Sequence, residues 1–173
     1  MTKNGSRLET FSRTFEVGWS ELDPNRHMAN VAYFRFYNNV RISLFHHFGI
    51  TQDYLSNNKL APTVISEHNY YIKEILAEDQ ITIDVLLLGE SESKKVHRFA
   101  QHIYSNNGEL QTFYYLNFGF INMETRKLVS NDAVMEKLFL NMPRSQSYKI
   151  LSREELNTAP KIPNKRTFKA HGA

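Results

Sequence analysis

The chain has 173 residues and a formal net charge of +3, and 41% of its residues are hydrophobic, which is typical of one domain with a buried core. It contains no cysteine, so disulfide bonds and thiolate chemistry are excluded. Its longest apolar run, near residues 81–88, is shorter than the roughly twenty residues that span a bilayer. No apolar segment follows the first basic residues, so we expect no signal peptide and a cytoplasmic protein.

The first predicted elements are a strand and a long apolar helix. Apolar residues alternate with polar ones over residues 11–19, which is the period of a strand. Over residues 31–48 they recur at helical spacing and leave a narrow polar side, so this helix should be buried against a sheet. Asn30 is predicted to cap the helix N-terminus through its side chain, and Gly49 is predicted to end the helix.

Four strands and a short helix are predicted next. The strands cover residues 62–75, 80–89, 94–105 and 110–123. Short turns, such as Asn-Asn-Gly at 106–108, connect them and therefore require antiparallel neighbours. A helix over 131–140, capped by Asn131 or Asp132, should pack outside the sheet. The pattern predicts an α+β fold in which a curved antiparallel sheet wraps around the long helix.

The C-terminal end carries much of the positive charge. Four basic residues follow the last acidic residue, Glu155: Lys161, Lys165, Arg166 and Lys169. We expect a single domain over residues 1–155 and a flexible basic tail over residues 156–173. Four charges are a weak signal for nucleic acid or an anionic membrane, so neither partner is expected.

The segment before the long helix concentrates acid and base groups. Asp23, Asn25 and His27 alternate along it, so their side chains can point to the same side of an extended or turn conformation. The backbone N–H groups of the helix start can stabilise a polarised carbonyl oxygen. This set fits an acyl-transfer or hydrolase site. A loop in which these residues only form the turn is equally compatible with the spacing.

This segment and the helix that follows resemble the signature of the hotdog-fold thioesterases. Five residues fall on the positions of the bacterial acyl-CoA branch without a gap: Asp23, His27, Asn30, Tyr33 and Arg41. The Asp-x-Asn-x-His spacing is even more similar to that of the plant-type acyl-carrier-protein thioesterases. The resemblance implies a hotdog fold, an active site that contains Asp23, Asn25 and His27, and a dimer or tetramer with the site at the subunit boundary. Asn30 and Tyr33 are predicted to bind substrate.

Two positions depart from the bacterial pattern. The glycine usual before the histidine is Arg26, and the glutamate usual on the helix is Asn38. If the reaction needs a second carboxylate, Glu67 is the obvious substitute. It lies in a polar run within a predicted strand, which indicates either a cavity wall or an exposed strand face.

A basic cluster is predicted at the start of the strand over residues 94–105. Lys94, Lys95 and Arg98 could bind the phosphates of coenzyme A or of a carrier-protein arm, or could serve only solubility. His97 and His102 lack partners at metal-ligand spacing. We therefore expect no metal and no cofactor.

The predicted activity is hydrolysis of an acyl thioester of coenzyme A or acyl carrier protein. Asp23 would act as general base or as nucleophile, and His27 would share the base role or orient the carbonyl. One alternative is a hotdog enoyl-thioester hydratase, although the family's Asn-to-His spacing is one residue longer and its glycine before the aspartate is Leu22 here. The other is a hotdog module that binds acyl-CoA without turnover, which Asn38 mildly favours.

Overall fold

The computed structural model of the chain describes residues 7–160. The strands are β1 (Ser12–Glu16), β2 (Leu60–Tyr71), β3 (Gln80–Asp84), β4 (Leu86–Ser91), β5 (His97–Ser105), β6 (Leu110–Asn122) and β7 (Arg144–Leu151). The helices are α1 (Asn30–His47), α2 (Gln52–Asn57), α3 (Ala133–Asn141) and α4 (Arg153–Asn157), with a short 3-10 helix at Trp19–Glu21. The predicted long helix and three of the four strands after it are confirmed, with shifts of a few residues at their ends, and the strand predicted over residues 80–89 is replaced by two.

The seven strands form one mixed sheet. β2 pairs with β6, β6 with β5, and the other edge of β5 pairs with β3 along one part and with β4 along another. β1 lies on β3. All these pairs are antiparallel, as predicted, whereas β7 joins β4 in parallel. β2 therefore forms one edge of the sheet.

The single strand predicted over residues 80–89 is divided in two. It breaks at Val85, whose backbone N–H donates to the carbonyl of Phe11 at the end of the β1–β3 pairing, and the register shifts between Leu87 and Gly89. Irregularities of this kind bend and twist a sheet locally. A Cβ at Gly89 would lie 2.4 Å from the carbonyl oxygen of Lys149 on β7, so the parallel strand approaches closely because this residue has no side chain.

Helix α1 is largely buried against the sheet, as its apolar stripe predicts. Val40 and Leu44 are completely buried, and the Phe45 ring lies 5.3 Å from that of Phe118 on β6. Tyr37 stacks on Tyr114 with ring centroids 4.3 Å apart. Burying such large side chains contributes about 1.5–3 kcal/mol each, so α1 and the sheet form one core.

Of the residues predicted to cap or end helices, one was assigned wrongly and two are confirmed. Asn30 does not cap α1: it is the first helical residue, and the cap position belongs to Ala29, which makes no side-chain hydrogen bond. The chain enters the helix one residue earlier than its apolar pattern indicates. Gly49 has the predicted left-handed conformation, with φ of 88°, and Asp132 caps α3 through two backbone N–H groups.

Four elements were not predicted: the 3-10 helix at Trp19–Glu21, α2, β7 and α4. The strand predicted over residues 11–19 ends at Glu16, before this 3-10 helix. Helix α4 starts with a reciprocal capping arrangement between Ser152 and Glu155 and continues past the predicted domain boundary at residue 155. The basic residues of the predicted tail lie outside the described residues, so the division of the chain at residue 155 stays a prediction. Among residues 7–160, no helix is long and apolar enough to cross a membrane.

Candidate functional site

The segment that carries Asp23 and His27 is a tight hairpin-like loop. Leu22 and Met28 form an isolated antiparallel bridge. The Asp23 N–H donates to the carbonyl of His27 over 2.8 Å, and the Arg26 N–H donates to the carbonyl of Asp23 over 2.9 Å. Arg26 has a φ of 65°, a left-handed conformation that glycine adopts without strain. The glycine that the resemblance implies at this position would adopt this conformation without strain.

The carboxylate of Asp23 is fixed by the backbone of its own loop. Its Oδ1 accepts the N–H groups of Asn25 and His27, over 2.8 and 3.2 Å. Within residues 7–160, its Oδ2 makes no hydrogen bond. One oxygen therefore holds the loop, and the other is available for chemistry. Asn25 is exposed and approaches Asp23 through its backbone.

The imidazole of His27 faces a carboxylate that the sequence motif did not reveal. Its Nε2 lies 3.1 Å from Oε2 of Glu74, and the two side chains are 45% and 63% exposed. Glu74 comes shortly after the end of β2 and is 47 residues away in sequence, so only the folded structure brings the two together.

Tyr33, on the first turns of α1, connects the loop to the core. Its ring packs edge-on against Tyr71 of β2, with ring centroids 5.0 Å apart. Burial above all, then Tyr71 and the negative charge of Asp23, raise the pKa of Tyr33 to about 12. The phenol is therefore protonated at neutral pH and can act as a hydrogen-bond donor. Tyr71 is another site neighbour that the motif did not reveal.

Helix α1 begins directly after this loop, at Asn30. Ala29 provides no side-chain cap, so the first-turn N–H groups of Asn30 and Val31 donate to no described side chain. Such N–H groups carry the positive end of the helix dipole. Val31 is 68% exposed, which leaves this end accessible from solvent. An oxygen that gains negative charge would be stabilised there.

In the folded chain, Glu67 lies away from the loop that carries Asp23. It accepts a hydrogen bond from the Tyr114 hydroxyl over 2.5 Å, on the part of β2 that faces Arg41. Arg41 is eight residues beyond Tyr33, or about 12 Å along the helix axis. It is buried, donates to Gln101 over 2.7 Å, and burial lowers its pKa. One chain therefore does not bring Glu67 to the loop that carries Asp23.

The basic residues near β5 do not form one cluster. Lys94 and Lys95 are exposed at the β4–β5 turn, where Lys94 donates to Glu136 over 2.8 Å. Arg98 is buried and binds backbone carbonyls of the α4 region, namely those of Glu155, Leu156 and Thr158, and the side chain of Asn117. The guanidinium of Arg98 therefore anchors α4 on the sheet.

The β4–β5 turn is also distant from the loop in one chain. β5 begins opposite Phe118 of β6, whereas Tyr71 pairs with Thr112. Six residues of strand separate the two points, which is about 20 Å.

A groove of about 390 Å³ lies on the sheet face opposite α1. Ser66, His68 and Tyr115 line it from the sheet, and residues 153–160 close one side. It does not include the Asp23 loop. Among the described residues, no group of three or more histidine or acidic side chains could hold a metal ion.

Comparison with known proteins gives a family and a fold. A family model described as the thioesterase-like superfamily matches residues 17–139, which is most of the described chain. A comparison with curated protein sequences gives no significant match.

Several solved structures share the fold. A hypothetical protein from Staphylococcus aureus, solved in complex with CoA, has a TM-score of 0.73 and 19% identity over 93% of this chain and 100% of its own. A 1,4-dihydroxy-2-naphthoyl-CoA thioesterase from Synechocystis has a TM-score of 0.69 and 10% identity, over 76% and 96% of the two chains. A 12:0-ACP thioesterase from Umbellularia californica has a TM-score of 0.69 and 18% identity, and the match covers 94% of this chain and 64% of the plant enzyme. These likenesses confirm the predicted hotdog fold.

Proposed function

Because the chain belongs to the thioesterase-like superfamily, whose model matches residues 17–139, we propose that it hydrolyses an acyl thioester carried by coenzyme A or acyl carrier protein. The observation that carries this proposal is the geometry of the Asp23 loop. The carboxylate is held by two backbone N–H groups, keeps one oxygen without a hydrogen bond among the described residues, and lies beside the uncapped start of α1.

In the proposed reaction, water attacks the acyl carbon while its proton passes to Asp23 or to His27. The π electrons of the carbonyl move to its oxygen, and the first-turn N–H groups of α1 stabilise this oxyanion. The electron pair on the oxyanion then re-forms the carbonyl as the C–S bond breaks, and the thiolate leaves with the electrons of that bond and takes up the proton. Asn25 shapes the loop, and the protonated phenol of Tyr33 contributes a donor near the reacting group.

Asp23 can act in two ways. As general base it removes a proton from water, and as nucleophile it forms an acyl anhydride that water then hydrolyses. A single turnover in ¹⁸O-labelled water tests the nucleophilic route, because label enters the Asp23 carboxylate when water attacks the Asp23 carbon of the anhydride and cannot enter it by the general-base route. Mass spectrometry of the peptide that contains Asp23 detects it.

The proposal that coenzyme A or acyl carrier protein carries the acyl group rests on the comparisons and on two exposed lysines. The Staphylococcus structure contains CoA, and the Umbellularia enzyme is named for an acyl-carrier-protein substrate, so both carriers belong in the assay. Lys94 and Lys95 are the exposed cations of the β4–β5 turn and are the proposed contacts for the carrier's phosphates. Arg98 is engaged by α4, so we leave it out of this contact.

We also propose that the protein is a homodimer that pairs through the free edge of β2. This strand has one sheet partner, β6, among the described residues. It exposes Val64, Ile65 and Tyr71 by 40%, 47% and 49%. An open edge with exposed apolar side chains favours pairing with another strand. Because Tyr71 at the end of this edge contacts Tyr33, a dimer through the edge would also cover part of the loop site.

The test is release of free thiol from a panel of acyl-CoA and acyl-carrier-protein thioesters by the purified protein. The panel varies chain length and includes aromatic acyl groups. We expect turnover of at least one member well above the rate without protein. Two rival functions predict other results: an enoyl-thioester hydratase adds water without releasing thiol, and a binding module retains the thioester unchanged.

A further inference from the structure

We propose that residues 161–173 of this chain dock on the sheet face opposite α1 and place Phe168 on an apolar patch there. The last described residue, Pro160, already lies on this face, because its carbonyl accepts the Tyr70 hydroxyl over 3.2 Å. The chain therefore continues from a point on the sheet and not from its rim. This interaction does not depend on thioester hydrolysis.

The patch is a small apolar cluster that is separate from the main core. It consists of Ala100, Phe113 and Tyr115, and Tyr70 packs against it. The ring centroids of Phe113 and Tyr115 are 4.3 Å apart, and those of Tyr70 and Tyr115 are 6.4 Å apart. Tyr114, between the two rings in β6, stacks on α1, so Phe113 and Tyr115 point to the opposite face of the sheet. We call this cluster the outer patch.

The chain is held on this face before it reaches Pro160. Arg98 donates to three backbone carbonyls within residues 155–158, over 2.8 to 3.3 Å. Asn117 donates to the same segment over 2.7 Å. Pro160 then lines the groove on this face. These bonds fix the direction in which the following residues leave, which is across the sheet.

The following segment is long enough to cover the outer patch. Phe168 is its largest apolar side chain and comes eight residues after Pro160, and eight extended residues reach at most about 26 Å. The outer patch extends over the adjacent strands β2, β6 and β5. Since neighbouring strands are about 4.8 Å apart, its width is about 10 Å. Phe168 can therefore reach any part of it.

A segment of the same chain is favoured over a second molecule as the occupant. A segment joined to its site by a short linker acts at an effective concentration of about millimolar, which is about a thousand times that of a second copy at micromolar concentration. A large uncovered apolar surface promotes association, so the docked segment would limit stacking of two copies through this face. The proposal replaces the flexible tail that the composition predicts.

Photo-crosslinking in the full chain tests the location. The photoreactive amino acid p-benzoylphenylalanine replaces Phe168, and the crosslinked peptides are identified by mass spectrometry. We expect crosslinks within one chain, to the β6 peptide that contains Phe113 and Tyr115 or to the adjacent parts of β2 and β5. Crosslinks that join two chains would assign the outer patch to a second copy and overturn the proposal, as would crosslinks to the face that carries α1.

Trypsin cleavage measures whether Phe168 holds the segment. Cleavage after Arg166 releases residues 167–173, and its rate follows the population of the undocked segment. We expect release from Phe168→Ser at least about tenfold faster than from the unmodified protein, and Phe168→Leu should retain most of the protection. Leu140→Ser removes an apolar side chain that is 53% exposed on α3; it is the matched control and should not change the rate. Equal rates for Phe168→Ser and the unmodified protein would overturn the proposal.

Discussion

Replacement of Asp23 by asparagine separates the chemical role of the carboxylate from its structural role. Oδ1 accepts two backbone N–H groups, from Asn25 and His27, and the amide oxygen of asparagine can accept the same two bonds. Each such bond contributes about 0.5–1.5 kcal/mol, so Asp23→Asn should retain the loop. The variant loses the charge and the basic oxygen. We expect kcat to fall at least about a hundredfold, the scale of a lost general base, which corresponds to about 2.7 kcal/mol of barrier.

The assay is kcat on the best acyl thioester, with the melting temperature of each variant as the measure of folding. Asp53→Asn is the matched control, because Asp53 is an exposed aspartate in the first turn of α2. Asp23→Ala should lose activity and also melt at a lower temperature, since it removes both loop hydrogen bonds. Near-normal turnover of Asp23→Asn with an unchanged melting temperature would refute the assignment of Asp23.

Three other predictions follow from the sheet, its turns and its free edge. Light scattering at micromolar concentration should give about twice the 20.3 kDa chain mass, and a stable mass of one chain would disprove the dimer. Reversing the charge of Lys94 and Lys95 should raise KM for acyl-CoA and leave kcat nearly unchanged, with a smaller effect at high salt; an unchanged KM would assign these lysines to solubility. Gly119→Ala should lower the free energy of unfolding by about 1–3 kcal/mol, and with it the melting temperature, because the added Cβ would lie 2.5 Å from the carbonyl oxygen of Lys95. An unchanged melting temperature would show that the β4–β5 turn can move to make room for the methyl group.

The sequence predicts those helices and strands in which burial of one side gives a regular spacing of apolar residues. α1 has one apolar side against a sheet, and β5 and β6 are long strands between short turns, so their patterns are regular. The loop that carries Asp23 is recognisable because its residues are close in sequence and match a family signature. Arg26, which departs from that signature, has a left-handed conformation that glycine adopts without strain.

Other features depend on contacts between distant residues, which a linear pattern does not contain. β7 has a mostly exposed, polar sequence and is a strand because β4 provides a partner. Arg98 looks like an exposed cation, but it is buried because α4 returns over the sheet and offers its carbonyls. Glu74 has no motif around it and meets His27 because Met28 and Ile75 share a hydrogen bond.

The central claim is that the protein hydrolyses thioesters, and product analysis of the unmodified protein tests it most directly. Purified protein is incubated with saturated and enoyl acyl-CoA thioesters, and the products are identified by mass spectrometry beside an Asp23→Asn sample. The account predicts free coenzyme A and the corresponding carboxylic acid, formed in equal amounts and strongly reduced in the variant. An intact thioester that is heavier by one water, or substrates that remain unchanged across the whole panel, would contradict it.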